Sequence, residues 1–350
     1  MAQRVALIYL DGMVASELEY IEEIDRTLVR LNYEPLHLSL LPPLEHTATQ
    51  LAEINADIIF NLFEGFDGCP DSEAAVARIL EKLNLCFTGS SSQSLYFCQS
   101  KAATKTILQK HRIPTPDWQV LVPAHKNAFN LDFPCIVKPT TEHGSCGISE
   151  NSVVGDREAL ARQIEYIWQT YHSASLVEPF LPGREFRVFA LGNHNPRILP
   201  IEEMIYQLPD DRPELLTYAA KWIPQDVYFV GTKEKCPADI TAEMRRTIEK
   251  LALRSFQALE CRGYASVDLR QDREGNIKVI DVNPNTDISA MGSVKFPLEA
   301  SGISYLSFIN EILTLAKMAA PHKNYFNSTE DNPATNLCSG MQDMVLLGNG

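Results

Sequence analysis

The segment Tyr264–Pro284, YASVDLRQDREGNIKVIDVNP, carries the pattern that decides the fold of this chain. Apolar and polar residues alternate over Tyr264–Arg270, and Ile277–Val282 reads as a second strand. The intervening stretch Gln271–Asn276 is rich in turn-forming residues. Two strand-like runs joined by such a turn predict an antiparallel hairpin. The pattern therefore predicts two adjacent strands near the C-terminal end of the chain, with polar residues on both.

Three oxygen-bearing side chains of this hairpin are candidate metal ligands. Asp281 and Asn283 lie two residues apart, so they share one face of their strand, together with Val279. A four-residue loop, Arg273–Asn276, would set Asp268 directly opposite Asp281; a two-residue loop would also keep all three on one face, whereas a three-residue loop would not. Two carboxylates and an amide oxygen suit Mg²⁺, with Mn²⁺ as the alternative. The competing interpretation is a solvent-exposed polar face.

A candidate anion site follows the apolar run Phe133–Pro139. Lys138 lies at the end of that run, and the loop Thr140–Gly147, TTEHGSCG, follows directly. Glycines let backbone N–H groups approach an anion, and Ser145 in the loop is a further donor. The loop is not a Walker A motif, because no Gly-Lys-Ser/Thr ends it. Each feature alone is usually a turn or a solvated lysine, but their adjacency favours a phosphate site.

Composition limits the class of protein and its partners. Of 350 residues, 45% are hydrophobic and 22% are charged, as in ordinary globular proteins. The formal net charge of −14 opposes polyanions, so no nucleic-acid partner is expected. The apolar run Val5–Leu10 is too short for a signal peptide, and no stretch reaches the length of a membrane span. We therefore expect a cytoplasmic protein without a membrane partner.

The order of strand-like and helix-like segments predicts three units and a tail. Residues 1–98 alternate between strands and helices, which predicts a parallel sheet with helices on its faces. Residues 99–181 form a second unit, and residues 182–319 form a third that is dominated by hairpin-like strands. Residues 320–350 are polar, lack periodicity and are expected to form a loose tail.

Taken in order, eight motifs between about Ile58 and Leu315 resemble the D-alanine–D-alanine ligase-like branch of the ATP-grasp superfamily. The motifs are Cys86–Ser90, Ser100-Lys101 with Lys105, Ile113–Pro116, Val137–Pro139 with its loop, Val177–Leu181 with Gly183–Phe186, Ala220–Trp222, Val267-Asp268 and Asp281–Pro284. The resemblance implies an α/β chain with an ATP-grasp fold, α+β in character, over its central (99–181) and C-terminal (182–319) subdomains. A Rossmann-like parallel-sheet domain at residues 1–98 would precede them.

The resemblance also implies roles for the matching residues. Lys101 and Lys138 would hold ATP phosphates, Lys221 would reach the γ-phosphate, and Ser145 would lie in the loop that closes over them. Glu178 would bind the adenine amino group, the backbone at Phe180 and Leu181 would lie beside the ring, and Glu185 would bind the ribose hydroxyls. Asp268, Asp281 and Asn283 would hold two Mg²⁺ ions. Lys221, Ser145 and Ser266 occupy catalytic positions by the same resemblance.

The implied reaction is a ligation of small-molecule carboxylate and amine substrates. The carboxylate attacks the γ-phosphate of ATP, and the resulting acyl phosphate meets an amine to form an amide or peptide bond. Closure of the loop would protect the intermediate from water. This is the chemistry of an ATP-grasp ligase of the acid–amino-acid class, and the resemblance also implies a homodimer.

Ser266 departs from the family pattern. Families of this type usually carry an arginine two residues before the first metal-binding aspartate, where it stabilises the oxyanion of the tetrahedral intermediate. Ser266 shares the face of Asp268 and should point into the site, but a hydroxyl does not replace a guanidinium. Either another cation serves, such as Arg187 or Lys295, or the reaction differs, or the activity is weak.

The substrate motifs differ from those of D-alanine ligases as well. Glu64-Gly65-Phe66-Asp67-Gly68 stands where those enzymes have a His-Gly and a glycine-rich acidic loop, and Ala15-Ser16-Glu17 stands for their Ser-Ala-Glu. An amino acid other than D-alanine is therefore the expected substrate. Glu17 and Glu64 are candidates for binding its amino group, with solvated loop acids as the competing interpretation. A ligase that modifies a peptide or protein and a non-catalytic ATP-binding protein stay open as alternatives.

Overall fold

The computed structural model describes residues 2–66 and 68–319, without the side chains of residues 15–17. The expected tail at residues 320–350 and the loop residue Asp67 lie outside this description. The strands are β1 (Arg4–Leu10), β2 (Glu34–Leu40), β3 (Ile58–Asn61), β4 (Gln119–Leu121), β5 (Cys135–Pro139), β6 (Val153–Val154), β7 (Ser175–Pro179), β8 (Glu185–Leu191), β9 (Arg197–Ile198), β10 (Glu202–Tyr206), β11 (Thr232–Lys235), β12 (Tyr264–Gln271) and β13 (Ile277–Asn283).

Eleven α-helices are distributed along the same described residues. They are α1 (Ala15–Arg30), α2 (Leu44–Ala52), α3 (Ser72–Lys82), α4 (Ser92–Gln99), α5 (Lys101–Lys110), α6 (Arg157–Tyr171), α7 (Tyr218–Trp222), α8 (Val227–Gly231), α9 (Ala242–Ala258), α10 (Lys295–Ser301) and α11 (Tyr305–Ala319). None of the helices that the structure describes is long and apolar enough to cross a membrane.

The first sheet is parallel, as the alternation of its sequence predicts. Its order is β2-β1-β3, and both neighbours of β1 run parallel to it. The central strand is buried on both faces from Val5 to Ile8, which is typical of parallel strands covered by helices. The run Leu85–Thr88, which reads as a further strand, makes only an isolated bridge between Phe87 and Ile59.

Two antiparallel sheets make up the rest of the chain. A four-stranded sheet has the order β4-β7-β5-β6, and a six-stranded sheet has the order β11-β10-β8-β12-β13, with β9 added to β8. Helix α5 packs on α9 and β13, so its lysines lie where the two sheets meet. The N-terminal sheet shares one buried core with the six-stranded sheet, in which Leu7 and Phe60 lie with Phe189, Tyr264 and Phe308.

The hairpin of β12 and β13 contains a bulge that the sequence pattern does not reveal. The connection Asp272–Asn276 has five residues, because Gln271 pairs with Ile277. An odd loop of this kind would set Asp268 opposite Ile280. The register shifts between Asp268 and Leu269, so Ile280 is left without a partner and Asp268 pairs with Asp281. The predicted pairing of the carboxylates is correct, but a bulge rather than a four-residue loop produces it.

The bulge also sorts the side chains of β13 between two faces. Val279 belongs to the core under α9 together with Val282, and it does not share the face of Asp281 as strict alternation predicts. One extra residue reverses the alternation, so Asp281 and Asn283 leave that core face and join Ser266 and Asp268 of β12. The hairpin therefore has a fully apolar inner face and a polar outer face at one end.

Gly183, in the connection between β7 and β8, packs closely against Gln271 at the end of β12. A Cβ atom there would lie 2.6 Å from the Cβ atom and 2.9 Å from the carbonyl oxygen of Gln271. Gly183→Ala should therefore destabilise the fold by about 1–3 kcal/mol, which chemical denaturation would measure. Gly155→Ala is the control, because its Cβ meets no atom within 4 Å. Equal stability of the two variants would contradict the close contact.

Candidate functional site

A buried carboxylate shared by two lysines lies between the two antiparallel sheets. Glu178 on β7 accepts a hydrogen bond of 2.6 Å from Lys138 on β5 and forms an ion pair of 2.6 Å with Lys105 on α5. The Lys105 ammonium also donates to the Thr115 hydroxyl at 2.9 Å. All three charged side chains are almost fully buried. One anion shared by two cations leaves a surplus positive charge, which favours an incoming anion.

The titration of this cluster follows from burial and charge. Burial opposes the charged form of Glu178, but the two ammonium groups outweigh it and lower the pKa of its carboxyl to about 2. Burial lowers the pKa of Lys105, with Glu178 opposing it, whereas Glu178 outweighs burial at Lys138 and raises its pKa. Glu178 is therefore ionised at neutral pH, and its charge favours the ammonium form of both lysines. Lys105 was not among the predicted site residues, although its spacing of one helical turn from Lys101 was the available signal.

Lys101 connects the phosphate loop to the hairpin. Its backbone N–H donates to Thr140 at the start of the loop, and its ammonium donates to the Glu142 carbonyl oxygen at 2.5 Å. The same ammonium lies 4.0 Å from the Asp281 carboxylate. Within the loop, Ser145 has a φ of 64°, a left-handed conformation that a serine rarely adopts and that tightens the turn. The loop predicted from its glycines therefore lies beside the metal-site candidates.

Asp268 and Asp281 face each other on the polar face of the hairpin. They are register partners, and Ser266 pairs with Asn283 beside them. Burial raises the pKa of Asp268, Arg187 opposes this shift, and the nearby Asp281 carboxylate adds to it. Within the described residues no group of three His, Cys, Asp or Glu side chains forms a metal cluster. Two opposed carboxylates and one amide oxygen instead make a donor set that fits Mg²⁺.

Glu185 and Phe180 lie around a second buried arginine. The Glu185 carboxylate accepts hydrogen bonds from Arg270 at 2.8 Å and from the Tyr206 hydroxyl at 2.7 Å. The Arg270 guanidinium stacks over the Phe180 ring at 5.0 Å from its centroid. Leu181 follows Phe180 and is buried. The four residues expected to surround a nucleoside thus lie on β7, on β8 or in the segment that connects these strands. They are Glu178, Phe180, Leu181 and Glu185.

Lys221 lies in the short helix α7, which the sequence pattern does not predict. Burial lowers the pKa of its ammonium, and the positive charge of Arg187 lowers it further, while Asp268 opposes both. Lys221 therefore lies within electrostatic range of Arg187 and Asp268. Ser266 is buried on the same face as Asp268, as expected. Lys295, in contrast, contacts the Phe296 ring, and no ion pair within the described residues joins it to the hairpin.

The expected substrate residues are only partly described. Glu17 lies in the first turn of α1, but its side chain falls outside the described part of the chain. Glu64 is exposed and follows the core of the N-terminal sheet. Near it, the Asn285 amide donates to the Glu73 carboxylate at 2.6 Å, and burial raises the pKa of Glu73 to about 7. Glu73 and Asn285 were not among the predicted residues, because their contact joins segments 212 positions apart.

Known proteins match both the sequence and the fold. The family profile described as "D-ala D-ala ligase C-terminus" matches residues 107–314. The uncharacterized protein y4sG of Sinorhizobium fredii (strain NBRC 101917 / NGR234) is 31% identical over 271 residues, which cover 77% of this chain and 76% of that protein. A D-alanine–D-alanine ligase of Thermoanaerobacter sp. (strain X514) is 29% identical over 271 residues, covering 74% and 70% of the respective chains.

A solved structure shares the architecture. The crystal structure of the D-alanine–D-alanine ligase from Bacillus anthracis complexed with ATP superposes with a TM-score of 0.70 at 21% identity. The match covers 91% of this chain and 98% of that one. The likeness therefore extends over the N-terminal sheet as well as over both antiparallel sheets.

Glu178→Gln tests the buried cluster. Removing the shared anion leaves two buried ammonium groups facing each other, so the variant should be about 3–5 kcal/mol less stable at pH 7. The folded-state pKa of about 2 lies below the ordinary 4.5, so the stabilisation is present above pH 4.5. It is lost as the pH falls through 2, and the difference between variant and wild type should shrink over that window.

Denaturant titrations at several pH values would measure this difference. Glu158→Gln is the matched control, because Glu158 is exposed on α6 and its ion pair among the described residues is with Arg162. Its stability should equal that of the wild type, since exposed ion pairs contribute little. A Glu178→Gln variant as stable as this control at pH 7 would refute the account of the cluster.

Proposed function

Because the chain belongs to the D-ala D-ala ligase family, by the match over residues 107–314, we propose that it is an ATP-dependent carboxylate–amine ligase that works through an acyl phosphate. The expected ATP-grasp fold and the class of C–N bond-forming ligases are confirmed at the level of the family. The observation that carries the proposal is the approach of Lys101 to Asp281, at 4.0 Å. It sets an ammonium that is bonded to the loop Thr140–Gly147 beside the carboxylate pair of the hairpin.

ATP would occupy the space between the two antiparallel sheets. The proposed contacts are Lys101, Lys138 and Lys221 with the phosphates, Ser145 with the loop over them, Glu178 with the adenine amino group, the backbone at Phe180 and Leu181 with the ring, and Glu185 with the ribose. The single positive surplus around Glu178 favours an anionic ligand, and the Arg270–Glu185 pair fixes the nucleoside side of the slot.

Asp268, Asp281 and Asn283 would hold Mg²⁺. A bound divalent cation supplies charge neutralisation for phosphoryl transfer and removes the repulsion between the two opposed carboxylates. The chain's own residues contribute orientation: the bulge aims Asp281 at Asp268, and Lys101 approaches the outer oxygen of Asp281. The ligands are thus fixed before the cation arrives, which reduces the cost of assembling the site.

The proposed reaction has two group-transfer steps. An oxygen of the substrate carboxylate bonds to the γ-phosphorus, the bond to the β–γ bridging oxygen breaks, and ADP leaves with that electron pair. The amine nitrogen then bonds to the acyl carbon and loses a proton, and phosphate leaves with the electrons of the C–O bond. Lys221 and Lys101 neutralise the phosphoryl charge, and the loop around Ser145 excludes water.

The substrate is proposed to be an amino acid other than D-alanine. Glu64 is the proposed contact for its amino group, and the hydrogen-bonded pair Glu73 and Asn285 lies near it, beside Phe63 at the end of the N-terminal sheet. Carboxylates in this place favour the positively charged amino group of an amino-acid substrate. We still predict a homodimer, a cytoplasmic location and no nucleic-acid partner. We also propose that the chain divides into three units, with boundaries after residues 98 and 181.

The test is release of ADP and phosphate from Mg·ATP across L- and D-amino acids, singly and in pairs. Release should require one particular pair, and Asp281→Asn should lower it at least about 100-fold, since even outer groups of a metal site change activity by 10–100-fold. Glu274→Gln, an exposed substitution in the turn of the same hairpin, should leave the rate unchanged. Mass spectrometry of the product would show the new amide bond.

Two results would sink the proposal. One is ATP binding without ADP release for any carboxylate and amine tested, which would favour the non-catalytic alternative. The other is release that persists in Asp281→Asn, which would remove the carboxylate pair from the reaction. Release that needs a peptide or protein terminus instead of a free amino acid would keep the ligase and change its substrate class.

A further inference from the structure

A row of charged side chains crosses four strands of the six-stranded sheet at the candidate site. Arg187 on β8 is the register partner of Glu202 on β10 and of Asp268 on β12, and Asp268 is in turn the partner of Asp281. Cross-strand neighbours of this kind have their side chains on one face of the sheet. Arg187 therefore stands on the face that carries the metal-site candidates, one strand away from Ser266.

The Arg187 guanidinium is buried but has few partners. Its exposed fraction is 9%, and its hydrogen bond within the described residues runs from Nε to Asp268 at 3.3 Å. Its Nη1 atom lies 3.7 Å from Glu202 and 3.8 Å from Glu234, which is beyond hydrogen-bonding distance. A buried guanidinium normally has its donors satisfied. Within the described residues, Nη1 thus makes two long ion pairs and neither terminal nitrogen makes a hydrogen bond, which leaves both with donors for a ligand.

Arg270 lies on the same face of β12 as Asp268, and its hydrogen bonds provide a comparison with those of Arg187. Its Nε donates to the Gly183 carbonyl at 3.2 Å, its Nη1 to Glu185 at 2.8 Å, and its Nη2 to the Glu214 carbonyl. Every nitrogen of Arg270 is therefore committed to the protein. Arg187 differs, because within the described residues its terminal nitrogens make ion pairs but no hydrogen bond.

Arg187 and Lys221 are two cations within electrostatic range of Asp268. The charge of Arg187 acts on the Lys221 ammonium, and both act on Asp268. The Asp268 carboxylate, 3.3 Å from the Arg187 Nε atom, compensates part of this positive charge. Glu202 and Glu234 balance part of the charge from the far side of Arg187. The near side, toward Ser266 and Asp268, is where an anionic reaction intermediate would lie.

We propose that Arg187 is a catalytic residue whose guanidinium binds the anionic oxygens of the acyl phosphate and of the tetrahedral intermediate formed from it. This inference rests on the proposed ligase function. Attack of the amine pushes the electron pair of the carbonyl C=O bond onto oxygen, the guanidinium N–H groups bind that oxyanion, and the pair returns as phosphate leaves. The arginine thus acts from β8 in place of a guanidinium at Ser266, and Lys295 takes no part.

The first test compares Arg187→Gln with the wild type, using the amino-acid substrates that the wild type accepts. Loss of one donor to an oxyanion lowers kcat by about 10²–10³-fold. The dissociation constant of Mg·ATP, measured by calorimetry, should change by less than about threefold, because the contact forms during the reaction. Arg187→Lys should recover part of kcat, since it keeps the charge without the fork of donors. Lys295→Ala should match the wild type in both measurements.

The second test moves the guanidinium from position 187 on β8 to position 266 on β12. Arg187→Gln combined with Ser266→Arg should regain at least about tenfold in kcat over Arg187→Gln alone, because the new side chain starts on the same face. Circular dichroism of each variant would verify folding, and Arg187→Lys serves if Arg187→Gln does not fold.

The outcomes separate this inference from the proposed function. A wild type that releases no ADP refutes the function itself. A wild type that is active, with Arg187→Gln within about threefold of its kcat, refutes only the role of Arg187. Equal losses in kcat and in Mg·ATP affinity would show that Arg187 merely holds Asp268 in place, which also overturns the inference.

Discussion

The repulsion between two carboxylates set directly opposite each other is the constraint around which the site is organised. Asp268 and Asp281 would separate or become protonated if nothing compensated them. The surrounding cations do so from three directions: Arg187 from the neighbouring strand, Lys101 from the start of α5, and Lys221 from α7. Because these cations come from parts of the chain that are distant in sequence, the site forms only when the six-stranded sheet, α5 and α7 have come together.

A chain of contacts links that pair to the buried lysines on the other side of the site. Lys105 binds Glu178 and donates to the Thr115 hydroxyl, which donates to the Val279 carbonyl at 2.8 Å, next to the bulge. The Val279 N–H is also taken, by the Pro114 carbonyl at 2.8 Å. The segment after α5 therefore covers the outer edge of β13. Through Thr115, it connects Lys105 to the backbone of β13 next to the bulge that orients Asp281.

Local patterns made the hairpin, the parallel sheet and the position of the loop Thr140–Gly147 predictable from sequence. Alternation marked β12 and β13, continuous apolar runs marked β1 and β3, and glycines marked the loop before Gly147. The facing of Asp268 and Asp281 was expected from a four-residue loop, whereas the structure reaches the same pairing through a five-residue connection and a bulge.

The features that sequence reasoning missed depend on contacts between distant segments. The bulge at Ile280 follows from packing of Val279 and Val282 under α9, which no local pattern states. Lys105 became part of the site only through Glu178, and Glu73 only through Asn285. Arg187 was named as one of two possible cations, and the choice between it and Lys295 required the register of β8 against β12.

The bulge has a consequence for how related chains should be compared. A hairpin without it keeps its ligands on one face only when the turn has an even number of residues, whereas this hairpin achieves the same with five. Insertions or deletions of one residue in such hairpins can therefore be absorbed within the strand, far from the turn where alignments usually place gaps. Equivalent positions are better counted backward from Asn283 than forward from Gly275, since the end of β13 is where the geometry of the site is preserved.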